Sequence, residues 1–335
     1  VRDTAERFAE YVAMVAEALS DEVGMWITLN EPWCSAWLGY GVGVHAPGRA
    51  GPDLAVRATH HLLLAHARGL EVLRRASKAP VGITLNLTPV VPASDHELDA
   101  AAAAKADGGQ NRLFLDPLFK GRYPEDMVNL FSALGVDLDI VEDGDLESVS
   151  RPVDFLGVNY YFKAVIADAG RVEEARRAGY FVPPGQLAEL ASPLGMVQLQ
   201  RPEAERTATQ WEVEPGGLTE ILVRLRDEYT PAPIYITENG AAEHDYRGPD
   251  GAVHDPARVD YLRRHIAAVH DAIEAGVEVK GYFIWSLLDN FEWSLGYSMR
   301  FGMVFVDYPS GERARKDSFY WYRKVIAANG LEPAS

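Results

Sequence analysis

The stretch that decides the fold is MWITLNEP, at residues 25–32. Its first five residues form an apolar-rich segment typical of a short strand, and Asn30 and Glu31 stand directly behind it. The pattern recurs in IYITENG, at residues 234–240, where Glu238 closes another apolar segment. Because the carboxyl ends of parallel strands lie along one side of a sheet, these two segments predict a shared polar edge.

Strands and helices alternate on both sides of this stretch. Helices are predicted near residues 8–19, 53–75, 100–104, 218–225, 255–273 and from 317 onward, and strands at 25–29, 81–87, 154–161, 233–238, 280–287 and 301–306. The alternation, with strands apolar on both faces, predicts an α/β fold with a parallel sheet. Polar residues at the strand ends favour the (β/α)8 TIM-barrel type. A doubly wound sheet is the alternative, although no Gly-x-Gly-x-x-Gly turn follows the first strand.

Two stretches lack a clear period. Residues 111–127 are aromatic-rich and are predicted to be irregular. Weak periodicity and many Pro, Gly and Glu residues predict a long loop insertion around residues 163–210. Since neither repeats nor low-complexity linkers interrupt the chain, we interpret residues 1–335 as a single β/α-barrel domain.

The composition of the 335 residues is that of a globular protein, with 47% apolar and 24% charged residues. The net charge of −17 argues against nucleic-acid or anionic membrane partners. One cysteine, Cys34, allows no internal disulfide, and neither a leader peptide nor an apolar run of about 18 residues is found. We therefore expect a cytoplasmic protein by default, and a small-molecule partner.

Glu31 and Glu238 are the first candidates for chemistry. Two carboxylates across a pocket are the equipment for glycoside hydrolysis, in which one carboxyl donates a proton and the other attacks or activates water. This chemistry needs neither a metal nor an organic cofactor. The alternative is that each glutamate merely caps a helix or pairs with an arginine at a solvated strand end.

The segment WSLLDNFEW, at residues 285–293, is a second candidate. The faces of Trp285 and Trp293 can stack on sugar rings, and Glu292 can accept hydrogen bonds from hydroxyls. The alternative is that both tryptophans are large core residues. Glu292 fits a core poorly, because glutamate is almost never buried without a partner.

Other candidates are weaker. Cys34 could be a nucleophile, but a lone cysteine is more often a small buried apolar residue. The histidines form no His-Glu-x-x-His pattern, so a zinc site is not expected. His45, in the glycine-rich loop after Glu31, is the best histidine candidate.

TLNEP (residues 28–32) and ITENG (residues 236–240) together resemble glycoside hydrolase family 1, the β-glucosidase family. Further matches follow in family order: FLDP at 114–117, GRYP at 121–124, GVNYY at 157–161, WEV at 211–213, and residues 285–296. The resemblance implies a TIM barrel and a retaining mechanism, with Glu31 as acid/base and Glu238 as nucleophile.

It also implies the substrate contacts. They are Asn30 at the sugar 2-hydroxyl, Asn159 and Tyr161 beside the nucleophile, Trp285 under the ring, Glu292 and Trp293 at the 4- and 6-hydroxyl side, and Trp33, His45 and Trp211 on the leaving-group side. Relatives that act on phosphorylated sugars carry Ser and Lys near the Glu292–Trp293 position, so the resemblance implies an unphosphorylated substrate.

The resemblance begins after the family's third barrel strand. We therefore expect an incomplete barrel of about five strands, corresponding to the family's β4–β8, without the family's glycone-binding Gln and His-Trp pair. The open edge would then favour self-association or a complementing segment. The leading hypothesis is a retaining exo-β-glycosidase for cellobiose-like or aryl glucosides. The alternatives are a weak or inactive barrel fragment that needs such a partner, and a transglycosylase.

Overall fold

The computed structural model describes residues 1–183, 194–229 and 233–331. Its strands, in chain order, are β1 (Trp26–Asn30), β2 (Val81–Asn86), β3 (Val90–Pro92), β4 (Phe155–Asn159), β5 (Ala164–Asp168), β6 (Met196–Leu199), β7 (Ile234–Glu238), β8 (Val279–Tyr282), β9 (Val304–Val306) and β10 (Arg313–Arg315). Five of them form the main sheet in the order β1-β2-β4-β7-β8, and every neighbouring pair is parallel.

Helices precede, separate and follow these strands. They are α1 (Asp3–Leu19), α2 (Pro52–Ala76), α3 (Glu97–Asp107), α4 (Leu113–Lys120), α5 (Glu125–Ala133), α6 (Asp145–Val149), α7 (Val172–Arg177), α8 (Pro215–Glu228), α9 (Pro256–Glu274) and α10 (Asp317–Ala328). Two π-helical segments, Cys34–Gly41 and Gly108–Arg112, and two 3₁₀ turns, Ala169–Arg171 and Trp293–Leu295, complete the elements. No helix in these described parts is long and apolar enough to cross a membrane.

The apolar strands of the sheet are covered by helices, as the sequence predicts. All five residues of β4 are buried, and so are the first five of β2. Leu63 and Leu64 of α2 pack with Ile83 of β2 and Leu222 of α8 in one core. The α/β prediction is therefore confirmed, because burial on both faces is what a parallel sheet requires.

The predicted loop insertion at residues 163–210 is wrong for much of its length. β5 pairs antiparallel with β6 and parallel with β3, and together they make a second, three-stranded sheet. Ala164–Ala167 form an unbroken apolar run whose side chains are buried, so the strand carries no alternating pattern that would reveal it. Residues 184–193 of the predicted loop lie outside the described residues.

Two smaller predictions also need correction. Residues 111–127 are largely helical, because α4 and the start of α5 fall within them. The strand predicted at 280–287 ends at Tyr282, and the strand predicted at 301–306 is the short β9, which pairs with β10 outside the main sheet. The bounds predicted from apolar segments therefore differ from the observed bounds, because tertiary packing decides where each element begins and ends.

β1 and β8 are the two edges of the main sheet within the described residues. Large apolar side chains are exposed beside them: Ile27 is 43% exposed on β1, and Phe283 is 55% exposed just after β8. An exposed edge with apolar side chains is a surface on which another strand can pair.

Gly157, in the middle of β4, permits the close approach of its neighbours. A methyl group added there would collide with Thr84 Oγ1 of β2 and come within 2.9 Å of Thr237 in β7. We predict that Gly157→Ala lowers the free energy of unfolding by about 1–3 kcal/mol through overpacking. The measurement is urea unfolding followed by circular dichroism.

Gly216→Ala is the matched control, because a methyl group there meets no atom within 4 Å. Its free energy of unfolding should change by less than about 0.5 kcal/mol. Equal destabilisation by the two substitutions would contradict the tight packing inferred at Gly157.

Candidate active site

The carboxyl ends of β1, β4 and β7 meet in one hydrogen-bond network. Asn159 Nδ2 donates to Glu31 Oε1 at 2.8 Å and to Asn30 Oδ1 at 3.1 Å. Asn30 Nδ2 in turn donates to Glu238 Oε1 at 3.0 Å. Two neutral amides therefore link the two carboxyl groups that the sequence singled out.

Local backbone geometry brings these side chains together. The β1–β2 register shifts between Ile27 and Asn30, and the β4–β7 register shifts just before Asn159 pairs with Glu238. Glu31 itself has a φ of 49°, in the left-handed region that a residue with a side chain rarely adopts. Such strain is held only where the surroundings enforce it, and it is common at functional sites.

Tyr161 and Trp211 complete one wall of the network. The Tyr161 hydroxyl donates to Glu238 Oε2 at 2.7 Å. The Tyr161 ring lies 5.1 Å from the ring of Trp211, and Phe301 packs against both rings. Both oxygens of Glu238 are therefore occupied, one by an amide and one by a phenol.

Thr237 is a member of the network that sequence reasoning missed. Its hydroxyl donates to Asn159 Oδ1 at 2.6 Å, which fixes which end of the Asn159 amide faces Glu31. Thr237 stands in the ITENG segment, so its position one residue before Glu238 was the available signal.

The loop that follows β8 supplies a second group. Trp285 Nε1 donates to Glu292 Oε2 at 3.4 Å, and the Trp293 ring stacks on His45 with centroids 5.9 Å apart. Trp293 is 68% exposed, so the alternative that it is a core residue is wrong. The predicted residues His45, Trp285, Glu292 and Trp293 thus occur as two contacting pairs.

Asp289 anchors this loop, a role that its sequence position did not reveal. Its carboxylate accepts from Lys316 Nζ at 2.8 Å, from Arg300 Nη1 at 2.6 Å and from the backbone amide of Gly302 at 3.0 Å. The Lys316 side chain is fully buried. A buried charge with several partners is costly to disturb, so the loop that carries Glu292 is tied to the body of the protein.

Trp33 lies apart from the hydrogen-bond network. It is 9% exposed and forms a wall of an apolar cleft that also contains Trp37, Phe162, Ile166 and Met196. Two of its residues are close in sequence to the network, since Trp33 is two residues beyond Glu31 and Phe162 follows Tyr161.

The two central carboxyls hold protons more strongly than ordinary ones. Burial raises the pKa of Glu31, against the hydrogen bonds from Asn159 and Cys34. Burial and then the charge of Glu31 raise the pKa of Glu238 to about 7. Burial likewise raises the pKa of Glu292. Interacting carboxyls titrate as a pair, so the titration of Glu31 is coupled to that of Glu238.

No group of three or more His, Cys, Asp or Glu side chains is placed to hold a metal ion in the parts of the chain that the structure describes.

Comparison with known proteins shows the family of the chain. The sequence model described as glycosyl hydrolase family 1 matches residues 1–331. The chain belongs to this family. A bifunctional β-D-glucosidase/β-D-fucosidase from Bifidobacterium breve is 44% identical over 97% of the chain and 69% of its own length. β-Glucosidase A from Thermotoga maritima is 42% identical, over 99% of the chain and 69% of its own length.

Solved structures of the family superpose closely. The β-glucosidase from Thermotoga maritima in complex with deoxynojirimycin has a TM-score of 0.88 at 41% identity, covering 99% of this chain and 70% of the other. The chain is thus a glycosidase of family 1 with an α/β fold of the TIM-barrel type.

The raised pKa of Glu238 makes stability depend on pH. The folded-state pKa of Glu238, about 7, lies above its ordinary value, so the folded state keeps a proton that the unfolded chain loses. The resulting stabilisation is complete below the ordinary carboxyl pKa and is lost as the pH rises through about 7. In the wild type, the free energy of unfolding should therefore fall between pH 5 and pH 8. We predict that this fall is about 2 kcal/mol smaller in Glu238→Gln.

The measurement is urea unfolding at a series of pH values. Glu274→Gln, at an exposed position on α9, is the control and should keep the wild-type slope. The same slope in Glu238→Gln and wild type would show that Glu238 carries no raised pKa.

Proposed function

We propose that the chain is a retaining exo-β-glycosidase that hydrolyses unphosphorylated β-D-glucosides through a covalent glycosyl-enzyme. The observation that carries the proposal is the carboxyl pair Glu31 and Glu238, joined through Asn159 and Asn30. Retaining enzymes hold such carboxyls about 5–5.5 Å apart, a separation that stays a prediction here.

The hydrogen bonds support Glu238 as the nucleophile. A phenol and an amide both donate to its carboxylate, which favours the ionised form and holds it in one orientation. Glu31 is buried and raised in pKa, which suits a group that must carry a proton at neutral pH. We therefore assign the proton to Glu31 and the ionised state to Glu238 in the form of the enzyme that reacts.

The reaction takes two steps. In the first, the Glu31 carboxyl protonates the glycosidic oxygen as a Glu238 oxygen attacks the anomeric carbon, so the aglycone leaves as an alcohol. In the second, the Glu31 carboxylate takes a proton from water, the water oxygen attacks the anomeric carbon, and the bond to Glu238 breaks. The sugar leaves with its original configuration, and both carboxyls return to their starting states.

The Trp285–Glu292 pair on the β8 loop fits the sugar side. Trp285 would support the ring and Glu292 would accept hydrogen bonds from hydroxyls, with the exposed Trp293 beside them. A carboxylate at this place repels a sugar phosphate, which favours unphosphorylated substrates. We expect Asn30 to contact the 2-hydroxyl once substrate lies against Glu238.

The apolar cleft fits the leaving-group side. Trp33, Phe162 and Met196 offer apolar and aromatic surface, and Trp33 and Phe162 are close in sequence to Glu31 and Tyr161. Trp211 lies against Tyr161 of the network, and His45 stacks on Trp293. We infer that aryl β-glucosides are better substrates than disaccharides. The name of the Bifidobacterium breve relative, a glucosidase and fucosidase, supports a site that tolerates more than one sugar.

A second proposal concerns the open sheet. The exposed Ile27 and Phe283 flank the β1 and β8 edges, while a closed barrel of this type has eight strands. We propose that further strands, from a complementing segment or a second copy, pair with these edges and complete the sugar pocket. On this view, the five-stranded sheet alone is a weak catalyst.

Two substitutions test the roles of the glutamates. Glu238→Gln should lower the turnover of a nitrophenyl β-D-glucoside by more than about 1,000-fold, because no glycosyl-enzyme can form. Glu31→Gln should lower kcat/KM for cellobiose by about 100-fold or more, and far less for a dinitrophenyl glucoside, whose leaving group needs no proton. The measurement is initial rates on the substrate series.

Glu274→Gln is again the matched control and should keep wild-type rates. Equal losses on all leaving groups in Glu31→Gln would refute its acid role.

Running the wild type over a hundredfold range of concentration separates the proposals for the sheet edges. Constant specific activity means that the chain acts alone, and specific activity that rises with concentration means that copies associate. No activity at any concentration means that a complementing segment is needed.

Glu292→Ala should weaken recognition of the sugar rather than the chemistry. We expect KM for a nitrophenyl glucoside to rise about tenfold or more, with a smaller change for the fucoside, which lacks the 6-hydroxyl. The measurement is the ratio of kcat/KM for the two glycosides. An unchanged ratio would contradict the assigned contact.

A further inference from the structure

Cys34 makes a contact that none of the assigned roles uses. Its thiol donates to Glu31 Oε2 at 3.1 Å, while Asn159 donates to Glu31 Oε1 at 2.8 Å. Cys34 begins the π-helical segment Cys34–Gly41, and its backbone amide donates to the Glu31 carbonyl at 3.0 Å. The two oxygens of Glu31 are thus held from opposite elements, β4 and the segment after β1.

The thiol at this place is a donor and not a nucleophile. Burial, followed by the charge of Glu31, raises the pKa of Cys34 well above its ordinary value, so the thiol keeps its proton. A protonated thiol is a weak nucleophile but can still donate a hydrogen bond. The alternative that Cys34 is a nucleophile, which the sequence left open, is therefore not supported.

We propose that Cys34 is a positioning residue for Glu31, whose thiol holds Oε2 and stabilises the carboxylate form of the acid/base group. The inference rests on the proposed function, in which Glu31 gains and loses one proton in each turnover. A thiol is a weak donor, so it orients the carboxylate without making reprotonation difficult. A hydroxyl at the same place would stabilise the carboxylate more strongly and hold the proton off longer.

Other titratable groups face Glu31 from the neighbouring elements. Glu238 from β7 and Glu292 from the loop after β8 are both near enough to act on the Cys34 thiol, as Glu31 does. Tyr161, just after β4, feels the charges of the same three carboxyls. These groups stay in place when only Cys34 is changed, so a matched pair of variants isolates the thiol.

The test compares Cys34→Ala with Cys34→Ser in a Glu238→Gln background, where Glu31 titrates without its carboxyl partner. The readout is the pH titration of side-chain carboxyl carbons in protein labelled with ¹³C-glutamate, and the Glu31 signal is the one lost in Glu31→Gln. Cys34→Ala should raise the pKa of Glu31 by about 0.5. Cys34→Ser should leave the pKa at or below the value with cysteine.

Ser35→Ala is the control, because Ser35 is the exposed neighbour of Cys34 in the same helical segment. It should not move the Glu31 titration. Equal shifts in Cys34→Ala and Cys34→Ser, or no shift in either, would overturn the inference, since only one of them removes the donor.

Kinetics with Glu238 intact provide the second readout. The alkaline limb of kcat/KM for an aryl glucoside should move upward by about 0.5 pH unit in Cys34→Ala and return in Cys34→Ser. The titration needs no turnover, so it tests Cys34 even if the chain hydrolyses nothing. Inactive wild type with the expected titration would count against the proposed function alone.

Discussion

The site depends on the hydrogen bonds made by the side chain of Asn159. This side chain is almost completely buried, it receives a hydrogen bond from Thr237, and it donates to Glu31 and to Asn30. Through Asn30 it reaches Glu238, so a single amide fixes the relation of two carboxyls from strands that are far apart in sequence. The burial that this network requires is also what raises the pKa of both carboxyls.

The candidate site has two parts, the strand ends of the main sheet and the loop after β8 that carries Glu292. The carboxyl ends of β1, β4 and β7 hold the carboxyl pair, although β2 lies between β1 and β4 in the sheet. The loop with Glu292 is not part of the sheet, and it depends on Asp289 and its contacts to Lys316 and Arg300. A site built from strand ends plus an anchored loop can keep its chemistry constant while the recognition of the sugar varies.

Much of the site could be predicted from the sequence, and the reason lies in where its residues stand. Glu31 and Glu238 each follow an apolar strand, so local pattern alone places them at the same edge. The three-stranded sheet formed by β3, β5 and β6 could not be predicted, because its strands are short and carry no period. The hydrogen-bonding roles of Cys34 and Asp289 could not be predicted from the sequence either, since they depend on partners that only folding brings near.

The sequence by itself determined the α/β class, the parallel strands and the family to which the chain belongs, because apolar periodicity and strand-end motifs are local properties of the chain. Tertiary structure alone decided which atoms of those motifs touch. Three hydrogen bonds show this: the Asn159 amide to Glu31, the Tyr161 phenol to Glu238 and the Cys34 thiol to Glu31. The first two join separate elements, and the third spans a sharp bend of the backbone. Hydrogen bonds depend on distances within a few tenths of an ångström, which no sequence spacing specifies.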